Sequence, residues 1–228
     1  MLLKKGRSRR LPERLTTPEN IRELQRKLYQ KAKQEREFRF YALYDKVHRA
    51  DILTYAYHLV KANKGAPGVD GITFEAIAGM EGGVKRYLDS LAKELKGKAY
   101  KSMPIRRVYI AKSGGGKRPL GIPAIKDRVV QMAVKIVIEP IFEADFQENP
   151  YGFRPRRNAH QAMDEVSTHL RQGRIQVIDA DISQYFDNIP HGKLLKLVAR
   201  RIVDKNMLRL IRMWLKAPVV EEGEDGKK

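Results

Sequence analysis

The feature that most limits how this chain can fold is an apolar run at 175–181 that contains two acidic residues at its end. Side chains alternate between the faces of a strand, so Asp179 and Asp181 would share one face. Val177 and Ile178 would point to opposite faces, and a strand that is apolar on both faces is covered on both sides. We therefore expect a central strand at 175–181. Carboxylates at its end suit Mg²⁺, although they can equally mark where the strand leaves the core.

The chain is strongly basic. Its 228 residues include 46 Lys and Arg but only 27 Asp and Glu, which gives a formal net charge of +19. A charge of this size indicates a polyanionic partner, and nucleic acid is the leading candidate. The hydrophobic content of 42% is compatible with a folded core.

Composition excludes several kinds of site. The sequence contains no cysteine, so it has no disulfide, no thiolate zinc site and no cysteine nucleophile. Its five histidines lack the paired spacing of a zinc site. No apolar stretch reaches the roughly 18 residues that cross a bilayer. We therefore expect no membrane partner and a location in the cytoplasm of a bacterium or in an organelle, without secretion.

Local patterns predict a helix-rich chain with one hairpin. Helical spacing, caps and stop signals predict helices after Thr17-Pro18, at 45–63, at 84–97, at 127–142, after Asn158, at 191–201 and at 204–215. The helix at 127–142 is apolar nearly all round and should be buried. The helix after Asn158 should turn an apolar stripe to the core, namely Ala162, Val166 and Leu170. Strand-like runs at 106–111 and 117–121 flank a glycine-rich tip. This order of elements predicts an α/β or α+β fold.

Two loops have compositions that are typical of anion contact. Lys112, Lys117 and Arg118 crowd the hairpin tip, and such like charges are tolerated more readily if a triphosphate or a nucleic-acid backbone binds there. The triple glycine of this tip lacks the spacing of an NTPase phosphate loop. Residues 64–71 form a second glycine-dense loop, for which an ordinary connection is the default and contact with nucleic acid the alternative.

Four motifs follow one another along the chain. They are Asn-Lys-Gly-Ala-Pro-Gly-Val-Asp-Gly-Ile-Thr at 63–73, Lys-Arg-Pro-Leu-Gly-Ile-Pro at 117–123, Tyr-Gly-Phe-Arg-Pro at 151–155 with His160, and Asp181-Ile182 leading to Phe-Asp-Asn-Ile at 186–189. In this order they resemble the motifs of the reverse transcriptases encoded by group II introns, the intron maturase family. The resemblance covers about residues 20–220.

The resemblance implies a right-hand polymerase with the activity of an RNA-directed DNA polymerase, a nucleotidyltransferase. It implies fingers with an N-terminal extension and the finger hairpin at 16–150, after a basic flexible N-terminus at 1–15. A partial palm follows at 151–228 and holds the first part of an RRM-like sheet. The expected fold is therefore helix-rich α+β with an incomplete palm sheet.

The resemblance also implies roles for residues of the last motif. Asp181 matches the family's first catalytic carboxylate. The main-chain carbonyl of Ile182 also faces a metal in a two-Mg²⁺ site, of which this chain holds only part. Phe186 matches the aromatic side chain that rejects a ribose 2′-hydroxyl, with core packing as its other interpretation. Asp179 has no catalytic counterpart in the family and is expected to support the metal ligands or the structure.

Other motif residues are implied to contact substrates. Lys112 and Arg118 lie where the family's finger hairpin binds the incoming dNTP, and Lys117 is a weaker candidate because family loops vary in length there. The residues that match the loop over the template strand are Lys64, Gly65, Ala66, Pro67 and Gly68. For Arg154 and His160, stabilising the junction of fingers and palm is at least as good an interpretation as contact with nucleic acid.

Two family motifs do not occur in these 228 residues: Pro-Gln-Gly, and the Tyr-X-Asp-Asp whose aspartates complete the metal site. We therefore expect that this chain alone does not polymerise and is a fragment or one part of a longer product. Its expected partners are an RNA template, intron RNA, a DNA primer and dNTP. A homodimer or other self-association is one way to cover the incomplete sheet. The alternative function is a non-catalytic module that binds intron RNA and assists splicing.

Overall fold

The computed structural model describes residues 15–111 and 115–221. The helices of these residues are α1 Glu19–Gln34, α2 Tyr44–Val47, α3 Ala50–Ala62, α4 Phe74–Gly79, α5 Gly83–Lys96, α6 Ile125–Glu143, α7 Ala159–Arg171, α8 His191–Val198 and α9 Lys205–Leu215. The strands are β1 Ile105–Ala111, β2 Lys117–Ile122 and β3 Val219–Glu221. The fold is therefore α+β and rich in helix, as the sequence predicts. Among the described residues, every helix is too short or too polar to cross a bilayer.

The described residues form two compact units. The first consists of 15–24, 45–111, 115–136 and 216–221, and the second of 25–44 and 137–215. The division into fingers at 16–150 and a partial palm at 151–228 stays a prediction. The expected flexible N-terminus, 1–15, lies outside the described residues except for Leu15.

The sheet of the first unit has the strand order β2-β1-β3. Strands β1 and β2 form the predicted antiparallel hairpin, with Val108 opposite Leu120. Strand β3 pairs in parallel with the other edge of β1, where Ile105 lies opposite Val219. The sequence gives no signal for β3, because three residues are too few to show an alternating pattern.

The helices of the first unit bury one apolar face each. The buried residues are Ile52, Leu53, Ala56, Tyr57 and Val60 on α3, and Leu88, Leu91 and Leu95 on α5. Helix α5 ends at the predicted stop, with Gly97 as its C-cap. The single helix predicted at 45–63 is wrong, since the chain forms α2 and α3 instead. Arg49 adopts extended dihedral angles between them, with φ −64° and ψ 138°.

Helix α6 is buried, as its sequence predicts. Its fully buried residues include Val129, Val130, Ala133, Val137 and Ile141. In its first turn, the Asp127 carboxylate accepts hydrogen bonds from Tyr100 Oη at 2.5 Å and from the Met103 N–H at 2.9 Å. Burial raises the pKa of the Asp127 carboxyl above its usual range, although these two hydrogen bonds act in the opposite direction.

A buried arginine stabilises the second unit. The Arg201 guanidinium donates to the carbonyl oxygens of Ala32 at 2.7 Å, Phe38 at 3.1 Å and Glu35 at 3.2 Å. It therefore satisfies carbonyl groups in and just beyond the last turn of α1, where helical carbonyls lack partners. Its Nε lies 3.0 Å from an Asp145 carboxylate oxygen. One side chain thus joins three stretches of sequence.

The buried Asp204 stabilises two helix starts in the same unit. Its carboxylate accepts hydrogen bonds from the Leu43 N–H at 2.9 Å and from the Tyr44 N–H at 2.8 Å, at the beginning of α2. It also accepts from the Asn206 N–H at 3.0 Å, in the first turn of α9. A carboxylate at this position is a favourable N-cap.

The predicted core stripe of α7 is wrong. Asn158 does cap this helix as predicted, in a capping box with Gln161. However, α7 has no buried residue, Ala162 is only half-buried, and Val166 and Leu170 are 57% and 45% exposed. Helical spacing correctly predicts that these apolar residues share one side of the helix, but it does not predict whether another part of the chain covers that side.

The predicted central strand at 175–181 is also wrong. Residues 174–182 have no regular structure, and Ile175, Val177 and Ile178 are 77%, 77% and 94% exposed. A strand is stabilised by hydrogen bonds to neighbouring strands, and no strand within 15–111 or 115–221 pairs with this segment. The expected first strand of a palm sheet is therefore not formed.

Candidate active site

Asp181 lies in the exposed segment at 174–182. Its side chain and that of Asp179 are exposed, and neither carboxylate has a hydrogen bond or an ion pair with any residue that the structure describes. The next residue, Ile182, is 67% exposed. The Asp181 carboxylate is therefore solvated and accessible to a cation or a substrate.

The oxygen atoms of this segment fit only part of a magnesium site. A carboxylate and a main-chain carbonyl are hard oxygen donors of the kind that Mg²⁺ prefers. In the described part of the chain, no group of three or more His, Asp or Glu side chains is arranged to hold a metal ion. Asp181 and the carbonyl of Ile182 could therefore hold Mg²⁺ only with further ligands.

The turn after Asp181 presents two aromatic rings to solvent. The N–H groups of Asp187 and Asn188 both donate to the carbonyl of Gln184 at 3.1 Å, and Gln184 has a φ of +49°. The rings of Tyr185 and Phe186 meet edge to face with centroids 5.3 Å apart, and Phe186 is 78% exposed. This ring is therefore not packed in the core of the described residues.

The hairpin of β1 and β2 presents basic side chains near its tip. Arg118 lies on β2 opposite Ile110, and Lys117 lies opposite Ala111. Both basic side chains are exposed. Lys112, the other predicted dNTP ligand, lies outside the described residues.

Two arginines hold the backbone of the glycine-rich loop at 64–68. Arg128 Nη2 donates to the Ala66 carbonyl at 2.7 Å, and Arg106 Nη2 donates to the Pro67 carbonyl at 2.9 Å. Gly68 is in such close contact with Ala124, the residue before α6, that a Cβ atom there would lie 2.5 Å from the N and Cα of Ala124. The path of this loop is therefore fixed by direct contacts with β1 and α6.

The exposed part of the loop differs from its buried anchor. Lys64, Gly65 and Ala66 are exposed, and Lys64 adopts a left-handed conformation with a φ of +46°. The buried Gly68 instead allows two backbone segments to approach closely. The loop thus has three exposed residues, and the contacts of the neighbouring Pro67 and Gly68 fix their positions.

Sequence reasoning missed both arginines that hold this loop, Arg106 and Arg128. Burial lowers the pKa of the Arg128 guanidinium, while the nearby Asp70 and Tyr87 raise it. Burial, followed by the charge of Asp70, in turn raises the pKa of the Tyr87 phenol. The available signal for Arg128 was an arginine in the first turn of a helix that the sequence predicts to be buried, since a guanidinium that loses water needs hydrogen-bond acceptors.

Arg154 makes the contacts of a structural residue. Its side chain is 6% exposed and forms an ion pair with Glu143 at 2.7 Å. It also donates to the carbonyls of Gln147 at 2.5 Å and Pro150 at 2.9 Å. The hydrogen bond to Glu143 raises the pKa of the guanidinium. Contact of Arg154 with nucleic acid stays a prediction, as it does for His160, which is exposed in the first turn of α7.

Comparison with protein families matches residues 110–228 to "Reverse transcriptase (RNA-dependent DNA polymerase)", which is just over half of the chain. The chain belongs to this family. The matched residues include Asp181, the turn with Phe186 and strand β2. The prediction from the four motifs that the chain is of the reverse transcriptase kind is therefore confirmed.

Individual relatives narrow the family further. The chain is 39% identical over 213 residues to "Protein YkfC" of Escherichia coli K12, covering 89% of this chain and 54% of that protein. It is 38% identical over 184 residues to "Group II intron-encoded protein LtrA" of Lactococcus lactis subsp. cremoris, covering 80% of this chain and 30% of that protein. It is 32% identical over 104 residues to "Nuclear intron maturase 2, mitochondrial" of Arabidopsis thaliana, covering 45% of this chain and 14% of that protein.

These relatives support assignment to the group II intron reverse transcriptase and maturase family. The chain spans about half the length of the first of these relatives and less than a third of the second.

Proposed function

We propose that this chain provides the fingers and the first part of the palm of an RNA-directed DNA polymerase of the group II intron type. The observation that carries the proposal is the accessible Asp181 carboxylate, which lies in the part of the chain that matches the reverse transcriptase family. Its partners would be an RNA template, a DNA primer and dNTP. The protein would act in the cytoplasm of a bacterium or in an organelle.

The roles of individual residues follow from the chemistry of phosphoryl transfer. Bound Mg²⁺ would activate the primer hydroxyl and stabilise charge on the leaving pyrophosphate. Asp181 and the Ile182 carbonyl would hold it. The exposed guanidinium of Arg118, together with Lys112, would bind the triphosphate, since guanidinium and ammonium groups form charge-assisted hydrogen bonds with phosphate oxygens.

The exposed loop residues would position the template. Lys64, Gly65 and Ala66 are accessible to a nucleic-acid strand, and the contacts of Pro67 and Gly68 keep them in place. Such preorganisation lowers the entropic cost of binding.

Further carboxylates are required for catalysis. The described residues hold no group of three metal ligands, and the 228 residues contain no Tyr-X-Asp-Asp. We propose that these residues alone do not extend a primer and that aspartates from another polypeptide segment complete the site.

Primer extension tests this proposal in a polypeptide that joins this chain to a family Tyr-X-Asp-Asp segment. Asp181→Ala should lower the rate by at least about a thousandfold, because a metal contributes several kcal/mol to transition-state stabilisation. Asp179→Ala is the matched control, since it removes an equally exposed carboxylate two residues away. Equal rates for the two variants would refute the assignment.

A second candidate function is non-catalytic binding of intron RNA that assists splicing, which the formal charge of +19 favours. Neutralising several phosphates makes the logarithm of the binding constant fall steeply with the logarithm of the salt concentration. RNA affinity measured against salt tests this function, and a flat response would contradict it.

A further inference from the structure

A basic groove lies within the second unit. It has a volume of about 1020 Å³ and is lined by residues that follow α1, by the end of α6 and by α8 with the residues just after it. Its basic lining residues include Arg36, Arg39, Lys196 and Arg200, and its apolar ones include Phe142 and Leu197. None of these residues belongs to the site proposed for polymerisation.

Three of these cations have no acidic partner among the residues that the structure describes. Arg36, Lys196 and Arg200 are exposed, and their side chains have no hydrogen bond or ion pair with any residue within 15–111 or 115–221. Arg39 is different, because its Nη2 donates to the Ala199 carbonyl at 3.0 Å, just after the end of α8. Arg39 therefore connects the residues after α1 with the residue after α8. The side chains of Arg36, Lys196 and Arg200 remain available to bind an anion.

The acidic residues of the groove leave an excess of positive charge. Asp145 is paired with Arg201 at 3.0 Å, and Glu37 is the other carboxylate of the lining. Like charges held close together repel each other, and a bound polyanion relieves this repulsion. The groove thus has the charge of a site for phosphates.

The apolar wall gives the groove a second property. Phe142 is half-buried, and Leu197 is 53% exposed between the exposed cations Lys196 and Arg200. Sugars and base faces pack on apolar surfaces, while arginine and lysine bind the phosphates. An acidic peptide would match the charge but would gain less from the apolar wall.

We propose that this groove binds the phosphate backbone of a single-stranded RNA segment through Arg36, Lys196 and Arg200. The inference rests on the RNA partner of the proposed function, and it adds an RNA contact that does not involve Asp181 or the glycine-rich loop.

The test measures the affinity of the chain for a fluorescent 20-nucleotide oligouridylate over a series of salt concentrations. The groove variant carries Arg36→Gln, Lys196→Gln and Arg200→Gln. The control variant carries Lys93→Gln, Lys96→Gln and Lys101→Gln, which remove the same charge from exposed positions of the first unit. The groove variant should bind at least about tenfold more weakly, with a salt slope smaller by about 2, since each phosphate contact with a single strand contributes about 0.7. The control variant should keep the wild-type slope.

Three outcomes would overturn the proposal. The first is an equal loss of affinity in both variants, and the second is competition by polyglutamate that matches competition by RNA. The third is ultraviolet cross-linking of the wild-type chain to the oligouridylate without any cross-link in 36–39 or 194–200, a result that does not depend on how the variants fold. The polypeptide with the complete metal site can also be tested for both properties. If it binds RNA in the groove but does not extend primers, the proposed polymerase activity is refuted and the groove proposal is not.

Discussion

Replacing Gly68 with alanine tests how the glycine-rich loop is held. The new Cβ would lie 2.5 Å from two backbone atoms of Ala124, and 2.9 Å from the carbonyl carbon of Pro123. Backbone atoms cannot rotate away as a side chain can, so the loop must move away from Ala124. Gly68 does not have the positive φ that L-residues avoid, and the effect is therefore one of packing.

The size of the effect follows from these contacts. Overpacking costs about 1–3 kcal/mol, and replacing glycine by alanine recovers about 0.4–1 kcal/mol by restricting the unfolded chain. A net loss of about 1–2 kcal/mol lowers the urea midpoint by roughly 0.5–1 M if the m-value is about 2 kcal/mol/M. Circular dichroism during urea unfolding measures this shift.

A matched substitution serves as the control. Gly79 ends α4, and a Cβ atom there would have no neighbour within 4 Å. Gly79→Ala should therefore leave the midpoint unchanged or raise it, because alanine favours helix over glycine. Equal midpoints for Gly68→Ala and the wild type would refute the close packing of the loop on Ala124.

Three further predictions concern other parts of the chain. Arg201→Met should lower the free energy of unfolding by about 3–5 kcal/mol, because it leaves buried carbonyls and Asp145 without their partner, whereas the exposed Arg200→Met should change it by less than about 0.5 kcal/mol in the same urea titration. The pKa of Asp127 is raised in the folded state, so its contribution to stability is fully present below its unfolded pKa of about 3.9 and is lost as pH rises through the folded value. Asp127→Asn should remove this decline when urea midpoints are compared between pH 4 and 7. In a polypeptide with the complete metal site, Phe186→Ala should increase incorporation of ribonucleotides relative to deoxynucleotides in primer extension, and an unchanged ratio would contradict its role as a steric gate.

Short-range features of the fold could be predicted from the sequence. Helix α5 ends at Gly97 and α7 begins after Asn158 because caps and apolar spacing act within a few residues. The antiparallel hairpin of β1 and β2 also forms where two strand-like runs flank glycines in the sequence. The four sequence motifs also pointed to three segments that are exposed in the structure, those with Lys64, Arg118 and Asp181, as candidate binding or catalytic sites.

Long-range features could not be predicted in the same way. Arg128 contacts a carbonyl 62 positions away in sequence, and Arg201 contacts one 169 positions away. The strand predicted at 175–181 is wrong for a related reason, since an apolar run forms a central strand only if other strands lie beside it. Local sequence patterns therefore predict helices and turns better than they predict which distant residues contact each other.

The central claim is that Asp181 holds a divalent metal ion beside the nucleotide. Iron(II) in place of Mg²⁺ reduces added hydrogen peroxide to hydroxyl radicals, and ascorbate returns the iron(III) formed to iron(II). These radicals cleave the polypeptide near the bound metal, and mass spectrometry locates the cuts. In a polypeptide with the complete site, bound to template, primer and dNTP, we expect cuts around 179–183 that disappear in Asp181→Ala and persist in Asp179→Ala. Cuts that are the same in all three proteins, or that lie only outside this segment, would contradict the account.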